Sequence, residues 1–211
     1  PAQMQRSVHL SFVLLLIYLL YPFFKASRQT TIPWHDIVLA VIASFSALYI
    51  AINYEALVDR AGAFKDIDIF VATVGIILVL EACRRVVGLP IVIIASFFIA
   101  YAFLGPYMPG FLNHRGYSFR RVVGHLFYTT EGIIGVPLGV SATFIFLFIL
   151  FGAFLEKTGI SKFFIDLANA IAGFAAGGPA KVAVITSALL GTISGSSVSN
   201  TVGSGTFTIP M

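Results

Sequence analysis

A succession of apolar stretches bounded by charges, prolines and glycines limits what this chain can fold into. The stretches run from Val8 to Phe24, Trp34 to Asn53, Ile67 to Ala82, Ile91 to Leu104 and Ser141 to Leu155. A helix that crosses a bilayer needs roughly 20 mostly apolar residues. The second run meets that length and the first is slightly short of it. Composition closes off the soluble alternative: 58% of the residues are hydrophobic and 10% are charged. A soluble domain carries about 25% charged residues, so this chain cannot cover itself with polar surface. The fold class is therefore an all-α integral membrane protein, a multi-pass helical bundle in a lipid bilayer.

The charges fit that reading. Thirteen Lys and Arg give a net charge of +4, but they stand singly or in pairs at the ends of apolar runs. With no basic stripe, nucleic acid is not an expected partner. Lys25 with Arg28, and Arg84 with Arg85, fall on one side of the membrane. The polar loop from Glu55 to Asp68 falls on the other, and the excess of Lys and Arg makes the first side cytoplasmic. Arg115, Arg120 and Arg121 then lie outside, against the rule. Residue 1 also lies outside, and the start at Pro1 and the end at Pro210-Met211 read as those of a piece of a longer protein. The lone Cys83 allows no internal disulfide and reads as a small packing residue.

The segment after Lys181 behaves differently. Thirty residues carry no ionisable side chain, yet sixteen of the 25 from Thr186 to Pro210 are Ser, Thr, Asn or Gly. Broken backbone at membrane depth must line a cavity or be buried in protein, because unsatisfied peptide groups in hydrocarbon cost several kcal/mol each. Gly195, Gly203, Gly205 and Pro210 weaken a continuous helix, which predicts two half-helices meeting at a polar turn around 196–205. Half-helix N-termini suit an anionic group, and hydroxyl, amide and carbonyl oxygens suit a hard cation such as Na⁺. Small residues also mark tight helix contacts. Gly135-x-x-x-Gly139 and Gly173-x-x-x-Gly177 read as packing motifs of this kind, whereas the density of hydroxyls at 191–210 favours a site.

The stretch GTISGSSVSNTVGSGTFTIP at 191–210 closely resembles the first re-entrant hairpin of the large membrane subunit of TRAP (tripartite ATP-independent periplasmic) transporters. NYEALVDRAG at 53–62, LEACRRVVGLPI at 80–91 and FLNHRGYS at 111–118 resemble fused permeases of that family. So do YTTEGIIGVPLGVSATFIFLFILFGAFLEKTG at 128–159 and GGPAKVAV at 177–184.

The resemblance implies small-subunit-like transmembrane helices over 1–120 and the start of a large transport subunit over 121–211, with a re-entrant hairpin at about 186–211. It implies an ion-transporter-superfamily-like elevator fold, incomplete in this chain, whose inverted repeat would bring a second hairpin. The implied function is Na⁺-coupled import of organic acids across the bacterial inner membrane. A periplasmic substrate-binding protein of the TAXI type would deliver the substrate. Na⁺ is the coupling ion, and no other cofactor is implied. Carried over by position, Ser194, Gly195, Ser196, Ser197, Ser199, Asn200, Thr201, Gly203, Thr206 and Thr208 are the ion- and substrate-binding candidates, with Ser196, Asn200 and Gly203 foremost for Na⁺. Relatives more often carry Ala-Asn-Val where this chain has Ser199-Asn200-Thr201. Ser-Asn-Thr is similar to the sodium motif of the related dicarboxylate transporters.

Other polar residues have simpler readings. Glu81 precedes Arg84 and Arg85 by three and four residues, so a helix-end ion pair competes with a functional role. Glu131 reads as a positioning or capping residue, Asp166 and Asn169 as the polar side of an amphipathic helix, and Glu156-Lys157 as an interface anchor. His9, His35, His114 and His125 lack a zinc-site spacing, and no lysine follows a glycine as a phosphate-binding loop requires. No pairing of nucleophile and base suggests an enzyme. The competing reading to a transporter is a non-transporting membrane scaffold that anchors partners.

Overall fold

In a computed structural model of the chain, residues 1–23, 32–193, 197, 200, 201 and 205 are described, and all secondary structure among them is helical. The chain divides into two compact units, Pro1–Gly139 and Val140–Met211.

The first unit is built on three long helices, α1 (Ala2–Leu20), α2 (Trp34–Ile52) and α4 (Asp66–Val86), with a short α3 (Tyr54–Asp59) between the last two. Helix α2 presents Ala40, Ala43 and Ala47 to its neighbours, and all three are fully buried. Their spacing puts them on one face, and small side chains there let two backbones approach closely, the usual device where lipid supplies no hydrophobic drive. A bond between the Ser11 and Ser44 hydroxyls at 2.6 Å crosses the α1–α2 seam. The Tyr18 hydroxyl donates to the Leu78 carbonyl of α4 at 2.8 Å. Gly75 of α4 faces the ring of Phe127 in α6 (Phe119–Tyr128), and a Cβ there would overlap it.

Helix α5 (Leu89–Leu104) starts after Gly88, whose φ of 107° is a conformation that side chains resist. Pro90 then occupies the first turn, where a missing N–H costs nothing. No residue of α5 is buried within the unit, as suits a helix facing lipid or a partner. Two short 3₁₀ turns, Gly105–Tyr107 and Gly110–Leu112, lead on to α6.

In the second unit, α8 (Phe146–Lys157) is followed by α9 (Ile160–Ala172) and α10 (Gly178–Ile193). The last two pack through Ala168, Ala172 and Val182. Gly159, at φ 85°, makes the tight corner between α8 and α9. Phe144 to Phe151 are exposed without exception, a helix wall made for hydrocarbon.

Among the described residues, four helical stretches are long and apolar enough to span a bilayer: Ala2–Leu20, Trp34–Ile52, Leu89–Tyr107 and Val136–Leu155. Helix α4 has the length but carries Asp66, Asp68, Glu81, Arg84 and Arg85 near its ends.

Three boundaries differ from the sequence reading. The first run begins at Ala2 rather than Val8, because its polar first turns are satisfied: Gln3 donates to the Tyr128 carbonyl at 3.3 Å and Arg6 to that of Ile134 at 3.1 Å. The polar loop 55–68 contains α3 and the first turn of α4. The fifth apolar run starts earlier, since α7 (Val136–Val140) and a π-helical segment (Ser141–Ile145) precede α8. Pro137 falls in the opening turn, where proline is tolerated, so the Gly-Val-Pro-Leu-Gly stretch initiates a helix rather than interrupting one. Gly139, read from the sequence as part of a helix-packing motif, meets a side chain instead, and Gly135 lies outside the helix. The Arg6 guanidinium occupies the place of a Cβ, with Nε at 2.6 Å from it.

Candidate functional site

The candidate site starts from α10. Its 16 residues contain Lys181 as their only charge, and Val182, Thr186 and Leu190 line its buried face at intervals of four. Thr186 is fully buried, and its hydroxyl oxygen meets no hydrogen-bond partner among the described residues. The next residue makes the decisive contact. The Asn200 side-chain amide donates to the Ser187 carbonyl at 3.1 Å and lies 3.4 Å from the Ser187 hydroxyl. A continuous helix would hold residues thirteen apart about 20 Å from one another, so Asn200 has returned alongside α10. Its amide nitrogen also stands 3.4 Å from the position a Cβ on Gly191 would take. That is an ordinary van der Waals distance, which a methyl group at 191 would fit.

Ser197, Asn200, Thr201 and Gly205 are helical. The Thr201 hydroxyl donates to the Ser197 carbonyl at 2.9 Å, the back-bond of a threonine within a helix. Of the predicted site residues, the structure therefore places Ser197, Asn200 and Thr201 on a helical segment, with Asn200 against α10. Ser194, Gly195, Ser196, Ser199, Gly203, Thr206 and Thr208 lie outside the described residues. The sequence reading did not single out Thr186 or Ser187. Both stand inside the charge-free stretch, but only the return of Asn200 marks them.

Two buried ion clusters in the first unit were also unforeseen in their extent. Arg85 and Arg84 both bond Glu81, Arg84 in a two-pronged fork at 2.7 and 2.8 Å. Arg85 reaches further, to the Asp36 carboxylate at 2.8 Å and the Tyr21 carbonyl at 2.9 Å. Its guanidinium lies 4.4 Å from the centre of the Tyr18 ring. The helix-end pairing expected at Glu81 is present, and Asp36, an acid in the first turn of α2, was the partner not recognised.

At the other end of α4, Asp68 is fully buried. It accepts from the Tyr49 hydroxyl at 2.6 Å and the Lys65 backbone N–H at 2.9 Å, and Arg60 stands 3.4 Å away. The Tyr128 hydroxyl donates to the Asp68 carbonyl at 2.6 Å. Burial, and then the Asp68 charge, push the Tyr128 phenol far above its usual range. Arg120 pairs with Asp66 at the same end, so the arginine that offends the positive-inside rule has an acid beside it. These clusters tie helices together.

Apolar helices of spanning length define a multi-pass helical membrane protein. The chain belongs to the family described as "Tripartite ATP-independent periplasmic transporter, DctM component", which matches residues 74–211. The match begins inside α4 and takes in α5 and α6 as well as the whole second unit. Membership makes the protein a permease component of a transporter, in a family of transporters rather than enzymes, and implies a periplasmic binding-protein partner. No curated protein and no solved structure matches the chain.

Proposed function

We propose that this permease imports organic acids by Na⁺-coupled, elevator-type alternating access, with ions and substrate held at the 186–211 segment. The observation that carries the reading is the return of Asn200 to Ser187 at 3.1 Å. It supports a helical hairpin, and a hairpin without ionisable groups supports a site for a cation and a carboxylate together. Neutral oxygens leave the cation's charge uncancelled, so an organic anion completes the balance. Asn200, Ser196 and Gly203 are the foremost Na⁺ candidates, and the half-helix N–H groups are the candidates for the carboxylate.

On this reading the hairpin is re-entrant and the membrane is the bacterial inner membrane. A TAXI-type binding protein supplies the substrate, and residues 1–120 act as the bracing small subunit. The two ion clusters at the ends of α4 support bracing, since each holds three or more segments together.

Uptake into proteoliposomes, with the binding protein present, tests the proposal. An inward Na⁺ gradient should drive accumulation in wild type and fail to do so in Asn200→Ala. Ser187→Ala, which keeps the accepting carbonyl, should retain most activity. Uptake indifferent to Na⁺, or to the loss of Asn200, would refute the placement of coupling in this segment.

A further inference from the structure

A groove of about 400 Å³ runs between α5 and α6. Its walls are Phe98, Ile99, Ala102, Val122 and Leu126, and its polar lining comes from Tyr117, Arg121 and His125. Arg121 and His125 are four residues apart on α6, so they stand on one face of that helix. Helix α6 is amphipathic and short, with Val122, Val123 and Phe127 buried and both arginines outward. Helix α5 is one of the spanning stretches and buries nothing within the unit. The groove is thus apolar along a membrane helix and cationic where that helix meets an interfacial one.

The loop between the helices fixes this geometry. His114 accepts the Gly116 N–H on Nδ1 at 3.0 Å and contacts the Tyr101 carbonyl through Nε2 at 3.1 Å. Its ring fills the space a Cβ on Gly105 would need. The Tyr117 N–H donates to the Ala102 carbonyl at 3.1 Å, which pins the polar rim to the apolar wall. The Arg121 guanidinium then rests 5.4 Å from the centre of the Tyr117 ring. Among the described residues no carboxylate lies within ion-pair distance of it. Arg120 is turned to Asp66, and Glu131 stands 3.8 Å from His125 Nε2. Arg121 is therefore the cation whose charge is left to a ligand.

We infer that the α5–α6 groove binds an anionic phospholipid, one acyl chain lying along Phe98, Ile99 and Val122 and the phosphate held by Arg121 with His125 as a second donor. Charge complementarity selects this occupant over an uncharged one. A planar guanidinium presents paired N–H donors to phosphate oxygens, while the walls accept only hydrocarbon. The inference needs the protein to be a membrane protein and does not depend on Na⁺ coupling or on the 186–211 segment.

The test is native mass spectrometry of the delipidated protein in detergent, titrated with dioleoyl-phosphatidylglycerol and separately with dioleoyl-phosphatidylcholine. Wild type should hold phosphatidylglycerol the more tightly. Arg121→Gln should weaken it about tenfold, the size of one lost charge-assisted hydrogen bond. Ala102→Phe, which fills the groove, should lower the binding of both lipids. Arg115→Gln removes an exposed charge from the preceding loop and should change nothing. Three results would overturn the inference: no adduct on wild type, undiminished phosphatidylglycerol binding by Arg121→Gln, or displacement of the lipid by inorganic phosphate at equal concentration. The last would mark an ion site without a lipid. Arg121 is exposed, so its variant should fold and can decide the matter even if Ala102→Phe does not.

Discussion

Arg85, near the C-terminal end of α4, holds the carboxylate of Asp36, in the first turn of α2, at 2.8 Å with both side chains almost wholly buried. The same guanidinium bonds Glu81 and the Tyr21 carbonyl, so one side chain joins three segments. Seventeen residues earlier, Asp68 gathers Tyr49, Arg60 and Lys65. That interval is about 25 Å of helix, close to the hydrocarbon thickness of roughly 30 Å. Charges that would be costly at mid-membrane are confined to the two ends of α4 and are matched there.

Removing Asp36 leaves the buried Arg85 with the Glu81 carboxylate alone, which it must share with Arg84, so two cations face one acid. Asp36→Ala should therefore destabilise the first unit by about 3 kcal/mol or more. Glu81→Gln, whose site is partly exposed and which leaves Arg85 its bonds to Asp36 and the Tyr21 carbonyl, should cost far less. Thermal unfolding in detergent, followed by circular dichroism, ranks the two variants, and an equal loss would mean that the Asp36 pair is not the lock.

Gly75 is predicted to tolerate no side chain. Its place against the Phe127 ring means that Gly75→Ala forces α4 and α6 apart or turns the ring, at about 1–3 kcal/mol. The double variant with Phe127→Leu should recover part of that loss. Additive losses in the double variant would show that the two sites do not touch.

The buried Tyr128 phenol predicts an alkaline effect with a definite sign. Its folded-state pKa is raised, so its contribution to stability is complete below the unfolded value of about 10 and declines as pH rises above it. Tyr128→Phe loses the bond to the Asp68 carbonyl and should cost about 1 kcal/mol at neutral pH. The advantage of wild type over this variant should shrink above about pH 10. Unfolding curves of the pair at neutral and alkaline pH supply the comparison, and an advantage that grows with pH would contradict it.

In the candidate site, a methyl group at residue 191 would meet the Asn200 amide at 3.4 Å, an ordinary van der Waals approach. Gly191→Ala should keep most Na⁺-driven uptake, while Gly191→Leu should displace Asn200 and reduce uptake to background. Equal activity of the two variants would show that transport does not depend on this approach.

Apolar runs of near-spanning length and a charge density too low for a soluble surface determined by themselves that the protein is a multi-pass helical membrane protein. These properties depend on composition and order along the chain, and the bilayer enforces them on every segment separately. The polar stretch after Lys181 was likewise legible, because a run of serines, threonines and glycines among spanning helices has few uses. Its family motifs pointed to the permease class that the match over residues 74–211 establishes.

Tertiary structure alone decided which residues meet. Asp36 and Arg85 are 49 positions apart, and Asn200 and Ser187 are thirteen apart. Nothing in local periodicity predicts either contact. The same holds for Arg6 over Gly139, for Phe127 against Gly75 and for the groove that leaves Arg121 without a carboxylate among the described residues. Helix formation follows from short-range hydrogen bonding and side-chain spacing, which sequence displays directly. Pairing of helices depends on complementary shape and buried charge between distant segments, and those become visible only when the chain has folded.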